Sequence, residues 1–286
     1  EELISKKNLK IIEYLKKRGI TKKEITFFKI GYAPLNNDFY EKLKNKFEEK
    51  QIMSTGIYYN DEKKQKQVDR FRDRIIFPFK NLSNATLALA GRSISNNKYA
   101  KYINSPETEF YKKGNNLYNI NSAKELNNST EEVFIVEGYM DVISLHKYGI
   151  KNVVANMGTA LTEKQLDLIW RFFKNPIICL DGDSSGRKAA LRAAERLFPI
   201  LRPGFSIYFL TLPENIDPDN YINEQGKESF VNYSKNKKEI HNFIWDAYYQ
   251  EIDKRSPQSL ALFEKKVRDI CNQINDLTLR KYFSED

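Results

Sequence analysis

The sequence has little cysteine and histidine, with only 2 of each among its 286 residues. Cys179 and Cys271 lie far apart, which excludes a disulfide-stabilised scaffold. Together with His146 and His241 they are too few for a Cys/His zinc site. The chain also lacks any run of the roughly 20 apolar residues that span a bilayer. We therefore expect a cytoplasmic protein without membrane association and, because it does not begin with Met, a fragment of something longer.

Glycine and proline are also sparse, at 12 and 9 residues. Hydrophobic residues make up 41% of the chain and charged residues 30%. This composition excludes collagenous, low-complexity and intrinsically disordered classes. The length suits one large domain or two to three smaller ones.

Positive charge is concentrated in the first half of the chain. The formal net charge is +9, and residues 1–130 contain 26 Lys and Arg against 15 Asp and Glu, whereas residues 131–286 contain 21 against 23. A basic half beside an acidic half suggests one part that attracts polyanions and another that holds cations. Lysine-rich helices that only solvate a surface would give the same composition.

The first half reads as a basic, mixed α/β subdomain over residues 1–128. Leu9, Ile12, Tyr14 and Leu15 have near-helical spacing and predict an N-terminal helix. Two apolar runs, Arg72–Phe79 and Thr86–Gly91, are separated by a polar turn and predict a β-hairpin.

The second half alternates strands and helices, a pattern typical of a mostly parallel sheet flanked by helices. The predicted strands are 133–136, 153–155, 177–180 and 206–210. A helix beginning at Thr162 carries a capping box to Gln165. This α/β subdomain is assigned to residues 129–228, and residues 229–286 are predicted to form a wholly helical subdomain.

Six carboxylates follow three of these strands: Glu137 and Asp141, Asp181 and Asp183, Asp217 and Asp219. The carboxyl ends of parallel strands meet at one edge, where ligands bind. Carboxylates gathered there repel one another unless cations neutralise them, and oxygen-rich sites suit Mg²⁺ or Mn²⁺. Taken alone, Asp217-Pro218-Asp219 is also typical of a helix cap or a turn.

These motifs resemble a known module. Glu137-Gly138-Tyr139-Met140-Asp141 and Asp181-Gly182-Asp183 are similar to the TOPRIM module of bacterial primases, topoisomerases and some nucleases. The acidic pairs alone do not choose among these, but the upstream half resembles the polymerase core of bacterial DnaG-type primases. The stretches that carry the resemblance are Arg18-Gly19, Gly31–Pro34, Arg70–Pro78, Gly91-Arg92, Lys101–Thr108, Lys113-Gly114, Leu117-Tyr118 and Gly158–Thr162. The similarity covers about residues 10–230.

The resemblance implies metal-dependent nucleotidyl transfer that makes short RNA primers on single-stranded DNA, with two or more Mg²⁺ or Mn²⁺ ions. It implies Asp141, Asp181 and Asp183 as principal metal ligands, and Asp217 and Asp219 as outer or alternate ligands. Glu137 is either a ligand or the acceptor of the hydroxyl proton, so the catalytic candidates are Glu137, Asp181 and Asp183.

The basic half is expected to bind nucleotide phosphates or the template backbone in a groove between the halves. By resemblance the contacting residues are Arg92, Lys101, Asn104 and Lys113, with Arg18 as a further candidate. Tyr102 either stacks on a base or packs into the core.

Expected partners are single-stranded DNA, NTPs, an RNA–DNA hybrid product and alarmone nucleotides that compete for the NTP site. A zinc-binding segment and a domain that binds a replicative helicase, both usual in such primases, are expected to lie outside this fragment. The chain is expected to be a monomer acting at the replication fork.

Two alternatives remain open at this point. The first is a TOPRIM nuclease or topoisomerase-like enzyme, although none of the 17 Tyr lies in a recognisable nucleophile motif. The second is a non-catalytic module that binds single-stranded DNA, which would gain nothing from carboxylates that repel phosphate.

Overall fold

The computed structural model describes residues 9–35, 39–62, 65–94, 100–157 and 160–285. The chain divides into two compact units, Glu1–Asn121 and Ser122–Asp286. Within the described residues, no helix combines the length and the apolar character that a membrane span requires.

The N-terminal unit is built on an antiparallel sheet. Its elements, up to the helix at the boundary, are α1 (Leu9–Lys17), α2 (Lys22–Phe28), β1 (Gly31–Ala33), α3 (Phe39–Lys44), α4 (Glu49–Ser54), β2 (Tyr58–Asp61), β3 (Lys66–Asp69), β4 (Arg74–Lys80), β5 (Thr86–Ser93), β6 (Tyr102–Asn104) and α5 (Ile120–Ala123). The main sheet has the order β1-β4-β5-β6, and β2 and β3 form a separate hairpin.

The predicted hairpin and the predicted N-terminal helix are both confirmed. β4 and β5 pair antiparallel, and the Asn81 side chain accepts hydrogen bonds from the backbone N–H groups of Ser83 and Ala85 in the turn. Helix α1 buries Ile11 and Leu15 and is followed by Gly19 at φ 71°, a left-handed conformation that suits glycine.

The C-terminal unit has a five-stranded sheet. Its elements are β7 (Glu132–Val136), α6 (Tyr139–Lys147), β8 (Val153–Ala155), α7 (Glu163–Trp170), β9 (Asn175–Leu180), α8 (Ser184–Leu197), β10 (Tyr208–Thr211), α9 (Pro218–Tyr233), β11 (Lys238–Glu239), α10 (Ile240–Tyr249), α11 (Pro257–Cys271) and α12 (Leu277–Glu285). The strand order is β11-β10-β9-β7-β8.

The mostly parallel sheet is confirmed, because β8, β7, β9 and β10 all pair parallel. Buried aliphatic side chains fill these strands, as expected for a sheet covered on both faces. On one face, the Phe134 ring packs against the Phe230 ring of α9, with centroids 5.3 Å apart. The predicted capping box at Thr162 is present, with Gln165 as its partner.

The prediction that residues 229–286 are wholly helical is wrong in one detail. Lys238 and Glu239 form β11, which pairs antiparallel with β10. The pairing satisfies backbone groups on the edge of the sheet that would otherwise be left open. Helix α9 also runs through the predicted boundary at 228, with a kink at Gly226. The predicted division of the chain into residues 1–128, 129–228 and 229–286 stays a prediction.

Candidate metal-binding carboxylates and basic surface

The acidic residues follow the ends of parallel strands, as the sequence predicts. Glu137 comes directly after β7, Asp181 directly after β9, and Asp217 six residues after β10. Since these strands are parallel neighbours, their ends share one edge of the sheet. The charges at this edge influence one another, as the shifts in their pKa values show.

Asp181 is the most strongly shifted carboxyl among those that remain partly accessible. Burial raises its pKa to about 7, and the negative charges of Glu137, Asp217 and Asp183 add to the effect. The pKa of Glu137 is raised as well, by burial first and then by Asp183. Near neutral pH, the carboxyl groups at this edge are therefore either partly protonated or neutralised by a cation.

Asp141 lies in the first turn of α6, where it is buried. Burial raises its pKa well above the usual range, and Asp217, Asp181 and Asp219 raise it further. A hydrogen bond donated by the Gly138 backbone N–H to Oδ2, at 2.9 Å, opposes this shift.

Two of the predicted ligands are also helix caps. Asp183 Oδ1 accepts from the Gly186 N–H at 2.6 Å and begins α8, and Asp217 Oδ1 accepts from the Asn220 N–H at 2.7 Å and begins α9. The cap interpretation of the sequence is thus correct for Asp217. It does not exclude ion binding, because each cap uses Oδ1 and leaves Oδ2 outside that bond.

Asp219 is held in place by two side chains. Its Oδ1 accepts from Ser144 Oγ at 2.5 Å and from Asn223 Nδ2 at 2.7 Å. Ser144 lies on α6, so this contact ties α9 to the helix that carries Asp141.

Close backbone packing fixes the loop between β9 and α8. A Cβ at Gly182 would lie 1.9 Å from the Pro213 carbonyl oxygen, and one at Gly186 would lie 2.2 Å from the Asp181 carbonyl oxygen. The Gly182 N–H also donates to the Ile216 carbonyl at 3.1 Å. This loop therefore sets the positions of Asp181 and Asp183 against the segment that leads to Asp217.

The donor set fits a hard divalent cation, since all six side chains are carboxylates whose charges disfavour one another. Within the described part of the chain, however, no three His, Cys, Asp or Glu side chains are arranged to hold a metal ion. The cap hydrogen bonds of Asp141, Asp183 and Asp217 point one oxygen of each toward the backbone.

In the N-terminal unit, three of the predicted binding residues belong to one cation–aromatic cluster. The Arg92 guanidinium lies 5.0 Å from the Tyr102 ring centroid and 5.8 Å from that of Tyr14. Arg18 lies 6.0 Å from Tyr14, and Lys101 lies 5.5 Å from Tyr102. We call Tyr14, Arg18, Arg92, Lys101 and Tyr102 the basic–aromatic cluster.

The cluster is exposed at its edges and buried at its centre. Tyr102 is 46% exposed, so it does not pack into the core, whereas Arg92 is only 2% exposed. Within the described residues, Nε of Arg92 is buried without a hydrogen-bond partner, and no ion pair to Arg92 is found. Arg92 is therefore a buried cation that lies against two aromatic rings, and its predicted contact with phosphates or template stays a prediction.

The remaining predicted residues lie near the cluster in sequence. Asn104 is half-buried on β6, two residues from Tyr102. Lys113 is half-buried, and its backbone N–H donates to Glu107 Oε1 at 3.1 Å. Arg74 donates to the carbonyls of Ala100 and Lys101 and so anchors the segment before β6.

Two predicted motifs fall partly outside the described residues. Lys63 and Lys64 of the lysine run, interpreted as a solvated loop, lie outside them, as do Gly158 and Thr159 of the Gly158–Thr162 stretch.

Comparison with known proteins decides the family. Residues 1–124 match the DNA primase catalytic core, N-terminal domain, and residues 131–211 match the Toprim domain. A DNA primase domain from Pseudomonas aeruginosa superposes with a TM-score of 0.90 at 32% identity, over 98% of this chain and 88% of that one. The chain belongs to the DnaG primase catalytic-core family. Members of the Toprim and primase-core families generally use divalent metal ions.

Other members of the family show the same likeness. The DNA primase of Pasteurella multocida is 35% identical over 280 residues, and that of Escherichia coli K12 is 33% identical over 276. These matches cover 95% and 96% of this chain but 47% of each relative, so the chain spans about half their length. A DnaG catalytic domain bound to single-stranded DNA has a TM-score of 0.90 and 32% identity, covering 98% of this chain and 88% of that one.

For two residues, reasoning from the sequence did not find a place in the candidate sites. Tyr14 looks like an ordinary apolar position of an amphipathic helix, and only its contacts with Arg18 and Arg92 distinguish it. Ser144 has no motif of its own, and its bond to Asp219 spans 75 positions of the chain.

Proposed function

We propose that this chain is the polymerising core of a primase, which makes short RNA primers on single-stranded DNA by adding NTPs. The observation that carries the proposal is the gathering of carboxylates at one sheet edge, in a chain whose two parts match the primase-core and Toprim families. Phosphoryl transfer needs charge neutralisation and in-line positioning more than covalent chemistry.

We propose that Asp141, Asp181 and Asp183 hold Mg²⁺ or Mn²⁺, with Asp217 and Asp219 as outer ligands. Bound divalent cations supply neutralisation of the triphosphate charge and stabilisation of the attacking and leaving oxygens. The carboxylates would hold the cations in position. The close packing at Gly182 and Gly186 fixes the backbone of the loop that carries Asp181 and Asp183.

Glu137 is proposed to accept the proton of the attacking 3′-hydroxyl. Its raised pKa supports this role, because a base works best when its pKa approaches the operating pH. The alternative role, metal ligation, predicts a different response to substitution. If Glu137 is the base, Glu137→Gln should lower the reaction rate with little change in the metal concentration that gives half-maximal activity. If Glu137 is a metal ligand, the same substitution should raise that metal concentration.

The basic–aromatic cluster, with Asn104 and Lys113, is proposed to bind nucleotide phosphates and template. Arg92 supports this assignment, since it is a buried cation with no acidic partner among the described residues, and a phosphate is a group that such a cation attracts. Tyr102 offers an exposed ring on which a base can stack. Phe110, 73% exposed and two residues from Lys112, is a further candidate for stacking.

The proposed partners are the single-stranded template, NTPs, the hybrid product, alarmones at the NTP site and a replicative helicase reached through another part of the whole protein. The proposed place of action is the replication fork in the bacterial cytoplasm. These assignments rest on the family, whose curated members are about twice the length of this chain.

The direct test is incorporation of labelled NTPs on circular single-stranded DNA, with and without Mg²⁺ or Mn²⁺, for the wild type and Asp181→Ala. We expect RNA products that require metal and disappear in the variant. Nicking of the DNA without RNA products would instead favour a TOPRIM nuclease. DNA binding that is indifferent to metal, with no product, would favour a binding module.

A further inference from the structure

Four polar side chains connect helices α6 and α9 by hydrogen bonds. Ser144 lies on α6 and Tyr148 at its end, and Asp219 and Asn223 lie in the first turns of α9. Each pair is four positions apart, a spacing that puts both members on one face of a helix. Ser144 Oγ donates to Asp219 Oδ1 at 2.5 Å, and the Tyr148 hydroxyl donates to Asn223 Oδ1 at 3.3 Å. We call these four residues the α6–α9 link.

The link fixes the Asp219 carboxylate from two sides. Besides the bond from Ser144, Asn223 Nδ2 donates to Asp219 Oδ1 at 2.7 Å and to the Asp219 carbonyl oxygen at 2.8 Å. The Tyr148 hydroxyl binds the other end of the same amide and so keeps Nδ2 turned toward Asp219. A rotation of the carboxylate would break the bonds from Ser144 and Asn223 together.

The position of Ser144 shows that this bond is more than a surface contact. Ser144 is 3% exposed, and a buried hydroxyl requires a hydrogen-bond partner. Replacement of both partners of a buried hydrogen bond by apolar groups of the same shape is often neutral for stability. The bond from Ser144 is therefore better explained by its effect on Asp219 than by a contribution to packing.

The link lies beside the acidic edge of the sheet. Asp141 is on α6, about one turn before Ser144, and the charge of Asp219 is near enough to raise the pKa of Asp141. The bond from Ser144 to Asp219 therefore also fixes how these two carboxylates lie relative to each other. Serine and asparagine are uncharged, so they hold Asp219 without cancelling the negative charge that attracts a cation.

We propose that Ser144 and Asn223 are positioning residues, which hold the Asp219 carboxylate at the acidic edge and so raise its affinity for a divalent cation. Hydrogen-bond partners of ligating carboxylates commonly have this effect on metal affinity. The inference rests on the proposed metal site and deepens it, since it assigns part of the affinity to two residues that bind no ion themselves.

The test is titration of Mn²⁺ into the protein at about pH 7.5, without nucleotide or DNA, with free Mn²⁺ measured by electron paramagnetic resonance. We expect Ser144→Ala and Asn223→Ala each to weaken Mn²⁺ binding by about tenfold, the usual size of such an effect. Thermal melting of both variants should stay cooperative. Mn²⁺ binding at the wild-type affinity in both variants overturns the proposal.

Two controls remove the same chemical groups from α9 outside the link. Ser229→Ala deletes a hydroxyl that lies 3.2 Å from the Tyr221 hydroxyl, and Asn232→Ala deletes an amide that accepts from Lys235 at 3.1 Å. Both controls should bind Mn²⁺ as the wild type does. If they lose as much affinity as the link variants, the effect is a general loosening of α9 and the proposal fails.

A double-mutant cycle distinguishes positioning from a purely structural role. If Ser144 acts through Asp219, Ser144→Ala should cause no further loss of Mn²⁺ affinity in the Asp219→Ala background, because the carboxylate that it holds is gone. Equal losses in the wild-type and Asp219→Ala backgrounds would show that Ser144 acts on the fold and not on Asp219.

The kinetics of primer synthesis give a second readout. Ser144→Ala should raise the Mn²⁺ concentration for half-maximal activity and recover most of the wild-type rate at saturating Mn²⁺, because the link affects affinity and not the chemical step. A rate that stays low at saturating Mn²⁺ would contradict the proposal.

Asp181→Asn separates failure of this inference from failure of the proposed metal site. If Asp181→Asn loses Mn²⁺ binding while Ser144→Ala and Asn223→Ala keep the wild-type affinity, the metal site stands and the link only joins two helices. If the wild type itself binds no Mn²⁺, the metal site and the positioning role are both overturned.

Discussion

At the scale of single residues, the carboxylates at the sheet edge act against the stability of the metal-free fold. Asp181 is half-buried among Glu137, Asp183 and Asp217, and its pKa is about 7 instead of 3.8. Burying charge without a partner costs free energy, which natural sequences accept chiefly at functional sites. The repulsion among these carboxylates, which weakens the metal-free fold, also favours the binding of cations.

This arrangement predicts a pH dependence of stability. Between pH 3.8 and about 7 the folded state holds a proton on Asp181 that the unfolded chain has released, so stability falls as pH rises through this window. In EDTA, we expect the Tm of the wild type to fall over this window more steeply than that of Asp181→Asn. Parallel Tm–pH curves for the two proteins would contradict the assigned repulsion.

A bound cation should reverse the effect. We expect Mg²⁺ to raise the Tm of the wild type more at about pH 7.5 than at about pH 5, since protonated carboxyls do not bind it. Asp181→Asn should show a smaller rise at the higher pH, and Glu224→Gln, an exposed carboxyl away from this edge, should match the wild type. A rise in Tm that is independent of pH and of Asp181 would point to unspecific salt effects.

At the scale of elements, the loop between β9 and α8 is fixed by contacts that tolerate no side chain. Gly182→Ala would place a Cβ 1.9 Å from the Pro213 carbonyl oxygen, so the backbone must shift. We expect a loss of about 1–3 kcal/mol in the free energy of unfolding, together with a larger loss of activity. Urea unfolding and primer synthesis measure the two effects.

The matched control for that loop is Gly31→Ala, where the added Cβ meets its nearest neighbour at 3.9 Å. It should change stability by much less than Gly182→Ala. If both variants unfold at the same urea concentration as the wild type, the packing argument fails.

The two roles of Asp217 can be separated because asparagine caps helices as well as aspartate does. Asp217→Asn should preserve the start of α9 and reduce synthesis by removing charge. Asp217→Ala should lose about 1 kcal/mol of stability in addition, the usual cost of a lost cap. Equal stability of the two variants would show that the cap contributes nothing.

Most of these elements are predictable from local patterns. The β4–β5 hairpin, α1 and the capping box at Thr162 follow from apolar spacing and turn chemistry within a few residues. β11 is not predictable, because two residues carry no periodicity and the strand exists only through its pairing with β10.

At the scale of the whole molecule, charge is divided between the two halves of the chain, +11 in residues 1–130 and −2 in the rest. This division predicts steep salt dependence of single-stranded DNA binding, because phosphate contacts release counterions. Lys101→Gln should weaken binding and flatten the slope of log affinity against log salt, whereas Lys164→Gln should leave both unchanged. Salt-independent binding would contradict the assignment.

The six acids of the candidate site can be named from the sequence, and their roles stay a prediction, whereas the geometry of the site cannot be predicted. Strand ends and spacing indicate all six acids, since parallel strands bring them to one edge. Burial of Arg92 beneath Tyr14 and Tyr102, in contrast, depends on packing between α1, β5 and β6 that no local pattern encodes. Likewise, the sequence does not reveal that Asp183 and Asp217 cap helices, because an aspartate that caps a helix and one that does not look the same in sequence.

The most direct measurement is extension of an RNA primer annealed to a DNA template, with Mg²⁺ and one labelled NTP at a time, for the wild type and Asp181→Asn. This assay does not require the protein to start a primer on its own. The account predicts that the wild type adds only the NTP complementary to the template, that EDTA stops the reaction, and that Asp181→Asn adds none while keeping a cooperative melting transition. Addition by Asp181→Asn at the wild-type rate, or none by the wild type with either Mg²⁺ or Mn²⁺, would contradict it.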